Sequence, residues 1–167
     1  AEFESPNAHA LNYMSMVGGH DDMIILRDEL TDNTYDVRPK LVINAAGPWI
    51  DFTNRKLGMS TKYIGGTKGS HIVVKHDELR EAIGENEFFF ENSDGRIVLL
   101  FPLFDRVVIG TSDIPVDNPD EVRCTHDEIN YFLDLVLRIF PTIELSRSDV
   151  VFQFSGVRPL PHSGAKT

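Results

Sequence analysis

Four short segments of this 167-residue chain hold the side chains best suited to chemistry. In Thr67-Lys68-Gly69-Ser70-His71, a cation, a hydroxyl and an imidazole fall within four positions, just ahead of an apolar run, Ile72 to Val74. A histidine there can accept a proton near neutral pH, since its reference pKa is about 6.5. The plainer alternative is a histidine hydrogen-bonded at a sheet end. In Ser155-Gly156-Val157-Arg158-Pro159, the proline biases Arg158 toward extended backbone, and a guanidinium held there suits bidentate capture of phosphate or carboxylate. On this segment alone, a surface salt bridge is the better explanation of the same arginine. Ala45-Ala46-Gly47-Pro48-Trp49 reads as a strand end opening into a helix, a place for a phosphate or pyrophosphate, or simply a tight turn that needs glycine. Ile109-Gly110-Thr111-Ser112-Asp113 ends a strand, and a local Asx or Thr cap accounts for it.

Composition narrows what these groups can serve. With 26 acidic against 16 basic residues, the formal charge of −10 argues against nucleic-acid partners and against a polybasic membrane patch. Cys124 is the single cysteine, so no disulfide framework exists and a reducing, cytoplasmic setting is the default. The six histidines show neither HxxxH nor Cys/His spacing, so no metal site is expected. No apolar run approaches the roughly 20 residues of a membrane-spanning helix, and the first residues do not have the form of a secretory signal.

The elements that must position these groups follow from periodicity. Tyr13–Val17 and the Met23–Leu30 region read as strands of a small antiparallel meander around Gly-Gly-His-Asp-Asp. Leu41–Asn44 reads as a short buried strand, followed by a helix that Pro48 starts and Gly58 ends. The segment 76–84 is helix-prone, with Gly84 as terminator. Phe88–Phe90, the Asn-Ser-Asp-Gly turn and Ile97–Leu103 form a hairpin signal, and a reversal at Asp105-Arg106 adds Val107–Gly110. Thr125 and Glu128 make a capping box for a helix whose stripe is Ile129, Phe132, Leu133, Val136 and Phe140, stopped by Pro141. Val150–Leu160 reads as one more strand, ending in a Gly-x-Arg-Pro corner. The order predicts an α+β fold with an antiparallel or mixed sheet and flanking helices.

Taken in order, the segments around Ala46-Gly47, Lys68-Gly69-Ser70-His71, Gly110–Asp113 and Gly156–Leu160 resemble FAD-dependent glycerol-3-phosphate dehydrogenases and related oxidases over residues 35–160. That resemblance implies an FAD domain of the glutathione-reductase type interleaved with a substrate domain. It places residues 1–60 at the C-proximal part of the former, 61–154 in the latter, and 155–167 in a segment returning toward the FAD domain. It implies hydride transfer from glycerol 3-phosphate to FAD, with quinone or oxygen as the final acceptor. His71 would be the catalytic residue, near the reacting hydroxyl as base or hydrogen-bond partner; Arg158, at the phosphate or the developing oxyanion, Lys68 and Ser70 would be substrate-binding residues, and Ala46 and Gly47 cofactor-binding ones. The family's dehydrogenases are often peripheral on a membrane. No Gly-x-Gly-x-x-Gly occurs here, so the pyrophosphate loop is expected upstream of Ala1 and the family's Gly-Gly-Lys-Leu-Thr segment beyond Thr167. The chain alone is therefore expected to be inactive and to hold FAD weakly or not at all. Two alternatives are a flavoprotein of the D-amino-acid-oxidase type acting on an amine or hydroxy acid, and a non-catalytic binding domain. The sequence leaves the oligomeric state open.

Overall fold

The computed structural model describes residues 8–162, which divide between Tyr63 and Ile64 into two compact units. In the first, β1 (Met14–His20), β2 (Met23–Asp28) and β3 (Thr34–Val37) make an antiparallel meander. The β1–β2 turn is the residue pair Asp21-Asp22, with Asp21 in the left-handed region at φ 53°. Gly18 and Gly19, expected in that turn, lie instead within β1, where Val17 forms a bulge between the pairs Met16↔Leu26 and Gly18↔Ile25.

Leu41–Asn44 corrects an expectation. The segment is not a strand, and Leu41 and Ile43 are 75% and 80% exposed. A strand needs a ladder partner, and among the described residues none lies beside it. Side-chain amides fix the backbone instead. Asn44 donates through Nδ2 to Ile50 O (3.0 Å) and Asn54 Oδ1 (2.8 Å), and its Oδ1 accepts from the Ala46 amide (3.2 Å). One 3₁₀ turn, Gly47–Trp49, then leads into α1 (Ile50–Lys56), and Gly58 follows at φ 77°.

The second unit is built on one antiparallel sheet. Its strands are β4 (Thr67–Val74), β5 (Phe88–Glu91), β6 (Ile97–Leu103), β7 (Arg106–Gly110), the two-residue β8 (Ile114–Pro115) and β9 (Val150–Arg158). The spatial order is β5-β6-β7-β4-β9, with β8 paired to Thr67 and Lys68 of β4. β9 runs unbroken through residue 155 to Arg158. Helices α2 (Asp77–Ile83) and α3 (His126–Ile139), with Cys124 and Ile143 flanking α3, complete the core.

Period-two alternation gives the sheet two different faces. Ile72, Val74, Val98, Leu100, Val107 and Ile109 pack with Leu79 and Ile83 of α2 and with Phe132, Leu135 and Val136 of α3. The expected stripe of α3 is right at Ile129, Phe132 and Val136, but Leu135 is buried where Leu133 is only partly so. Thr125 and Glu128 form the expected capping box. The opposite face carries His71, Val73, Val108, Phe152 and Phe154, and no described helix of this unit covers Phe152 or Phe154, which are exposed. The α+β class and the antiparallel sheet agree with the sequence. Among the described residues no helix is long and apolar enough to cross a membrane.

Candidate active site

The alternation of β4 sorts the chemistry of the Thr67–His71 segment. The strand starts at Thr67, not Ile72, so these residues are not gathered at its mouth. Gly69 and His71 share the open face. Lys68 and Ser70 point with Ile72 and Val74 toward the helices.

On the open face His71 pairs in register with Gly110 of β7 and Phe154 of β9. Its ring stacks on that of Phe154, with centroids 4.8 Å apart and planes 6° from parallel. The other side of the ring is available because residue 110 is glycine. A Cβ there would sit 2.7 Å from His71 Nε2, inside any real contact distance. Burial, and then the positive charge of Arg158, push the imidazole below its ordinary pKa of 6.5. His71 is thus neutral at pH 7, and among the described residues neither ring nitrogen has a hydrogen-bond partner. Such a ring can accept a proton.

Arg158 ends β9 opposite Thr67, and its guanidinium lies over Gly69, where an added Cβ would be 2.6 Å from Cζ. The turn after β7 holds the fork. Nη2 donates to Thr111 Oγ1 at 2.7 Å and to Ser112 O at 3.3 Å. Nη1 donates to Ser112 O at 3.3 Å and to Asp113 Oδ1 at 3.2 Å. About a third of the side chain stays exposed, at 34%, and Nε–H has no partner among the described residues. The result is a positioned cation with donor capacity left for an anion.

Lys68 and Ser70 belong to a buried network on the helix side. Lys68 Nζ donates to Glu128 Oε2 (2.6 Å) and Arg123 O (2.8 Å), and the two side chains of the ion pair are 7% and 5% exposed. Ser70 Oγ shares a 2.8 Å hydrogen bond with Ser155 Oγ. Ser112 Oγ donates to Glu128 Oε1 at 2.6 Å. Burial favours the protonated Glu128, but hydrogen bonds from Lys68, Ser112, the Thr125 amide and Ser70 outweigh it and bring the carboxyl to about 2.

Ala46 and Gly47 lie in the other unit. The Ala46 carbonyl accepts from the Trp49 amide at 3.0 Å, and Gly47 adopts φ 54° with open space where a Cβ would be. In unit 64–167 the structure therefore brings His71 and Arg158 onto one face and assigns Lys68 and Ser70 to the other. The contributions of Gly69, Gly110 and Phe154 escaped the sequence reading because they depend on strand register. Thr111 and Asp113 were read only as a turn.

The chain resembles known flavoproteins over nearly its whole length. It is 30% identical to the aerobic glycerol-3-phosphate dehydrogenase of Staphylococcus aureus (strain USA300) over 141 residues, which is 83% of this chain. A solved glycerol-3-phosphate dehydrogenase from Bacillus halodurans, complexed with FAD, superposes with a TM-score of 0.80 at 32% identity over 93% of this chain. The chain spans 25% of the first relative and 32% of the second. Residues 15–166 match the profile of the FAD dependent oxidoreductases, and the chain belongs to that family.

Proposed function

We propose that this chain supplies the substrate-facing section of an FAD-dependent glycerol-3-phosphate dehydrogenase, which oxidises glycerol 3-phosphate to dihydroxyacetone phosphate. The observation that carries the reading is the pairing, on one open sheet face, of a neutral imidazole and a held guanidinium, each lying against a glycine. In this reading His71 accepts the proton of the substrate's C2 hydroxyl. Arg158 binds the phosphate through its remaining donor capacity and fixes the substrate's direction along the sheet. Lys68 and Ser70 support the site from behind without touching substrate.

The residues present fit FAD. Within the second unit, exposed Phe152 and Phe154, their rings tilted 33° to each other, offer an uncharged aromatic surface for a planar ring. When bound, FAD supplies the acceptor for the hydride that leaves C2. Residues 1–60 would belong to the FAD-binding part, 61–154 to the substrate domain and 155–167 to the return segment. Quinone or oxygen takes the electrons onward, in a cytoplasmic protein or one peripheral on a membrane. No Gly-x-Gly-x-x-Gly occurs in the 167 residues, so the chain alone is expected to hold FAD weakly or not at all.

The test is steady-state turnover of the enzyme carrying this section, with glycerol 3-phosphate set against D-amino acids and unphosphorylated hydroxy compounds. Preference for the phosphorylated substrate, lost on Arg158→Ala, supports the reading. Preference for an amino acid would move the chain to an amine-oxidising role, in which Arg158 holds a carboxylate.

A further inference from the structure

Glu128 does more than a capping box requires. A box needs the N3 carboxylate to accept from the N-cap amide, and Glu128 Oε2 does so from Thr125 N at 2.8 Å. That role is usually filled at the surface. Here Glu128 is only 4% exposed, and its carboxylate also accepts from Lys68 Nζ on β4 and from Ser112 Oγ in the turn after β7. A cap gains nothing from the last two, and burying the pair costs desolvation.

The direction of the Ser112 bond is settled by its neighbour. The Ser70 amide donates to Ser112 Oγ at 2.9 Å, so the Ser112 hydroxyl proton is left to go to Glu128. Ser112 is 1% exposed and gripped on both sides. Its carbonyl accepts both terminal nitrogens of Arg158, while Thr111 and Asp113 on either side accept one each. A continuous path of hydrogen bonds therefore runs from the α3 N-terminus, through one serine, to the guanidinium.

We infer that Glu128 is a positioning residue for substrate phosphate: through Ser112 it fixes the 111–113 turn, and through that turn the direction of Arg158. The inference rests on the reading of Arg158 as the phosphate ligand. It assigns Lys68 the task of holding Glu128 ionised and aimed, so that Oε1 is free for Ser112.

Glu128→Gln preserves shape but breaks the logic of the site. An amide presents one acceptor and one NH₂, whereas Glu128 faces donors on both oxygens, from Ser112 on one side and from Lys68 and Thr125 on the other. Turned toward Lys68 and Thr125, the NH₂ meets donors; turned toward Ser112, it takes away the acceptor of the hydroxyl proton that fixes that serine. The readout is the ratio of kcat/KM for glycerol 3-phosphate to that for glycerol, measured in the enzyme carrying this section. Loss of one charge-assisted hydrogen bond should narrow the ratio about tenfold, mainly through the KM for glycerol 3-phosphate. A merely structural role would lower both substrates together and leave the ratio alone. Ser112→Ala, which keeps the Lys68–Glu128 pair, covers the case in which Glu128→Gln does not fold, and it should narrow the ratio in the same sense. A folded Ser112→Ala enzyme with the wild-type ratio overturns the inference. Arg158→Lys is measured alongside: if it too leaves the ratio unchanged, the phosphate reading of Arg158 has failed, and the role of Glu128 fails with it.

Discussion

Gly69→Ala should disable the site without unfolding the protein. The backbone at Gly69 is ordinary strand, so alanine is conformationally permitted, and replacing glycine restricts the unfolded chain slightly in the folded state's favour. The obstruction is a side chain. The new Cβ would lie 2.6 Å from Arg158 Cζ and 2.7 Å from Nη1, with Nη2 closer still. Carbon atoms in contact sit about 3.5 Å apart, so the guanidinium must withdraw by about 1 Å. The 3.3 Å bonds to Ser112 O then pass beyond hydrogen-bond reach, and the 2.7 Å bond to Thr111 is stretched past its useful range. Misplacing a substrate-positioning group by about 1 Å costs on the order of 10²-fold. Steady-state kinetics with glycerol 3-phosphate should show that loss in kcat/KM, while melting followed by circular dichroism stays within a few degrees of wild type. A folded Gly69→Ala enzyme with kcat/KM within about threefold of wild type would refute the placement of Arg158 over residue 69, or its part in binding.

Other expectations concern the same two faces. His71→Ala should lower kcat by about 10²–10⁴-fold, the usual contribution of a positioned base, and undiminished turnover would remove the imidazole from the reaction. Because burial and Arg158 depress the His71 pKa below 6.5, kcat/KM should rise with pH to a plateau whose midpoint lies on the acid side of an ordinary histidine. A midpoint above 6.5 would contradict the environment described. Glu128 has its pKa lowered from 4.5 to about 2, so its contribution to stability is complete above 4.5 and is lost as the pH falls toward 2. Acid melting curves of Glu128→Gln should therefore lack part of the wild-type protein's decline across that interval.

What could be read in the sequence was local. Thr125 and Glu128, three residues apart, specify a capping box by themselves, and the box is present. The hairpin of β5 and β6 and the stop at Gly84 are set by neighbouring residues in the same way. Leu41–Asn44 misled because apolar, β-branched composition describes a strand only when a partner lies alongside. The Lys68–His71 cluster misled for a related reason. Lys68 and Ser70 look like companions of His71 along the chain, yet the alternation of faces from one residue to the next along β4 sends them to the far side of the sheet. The glycines opposite His71 and Arg158 were illegible because β4, β7 and β9 are far apart in sequence. Their registers, His71↔Gly110 and Gly69↔Gly156, are set by packing across the whole sheet.

Gly69 and Gly110 shape the site by what they leave out, and this restricts how those positions can vary. Glycine alone among the coded residues has no Cβ, so every missense change at either codon, however small its product, brings an atom into the space taken by the guanidinium or the imidazole. Neither position has a mild substitution through which a lineage could drift by degrees. A change at residue 69 or 110 can persist only alongside a second change that moves Arg158 or His71, so the pairs 69/158 and 71/110 should vary together or not at all.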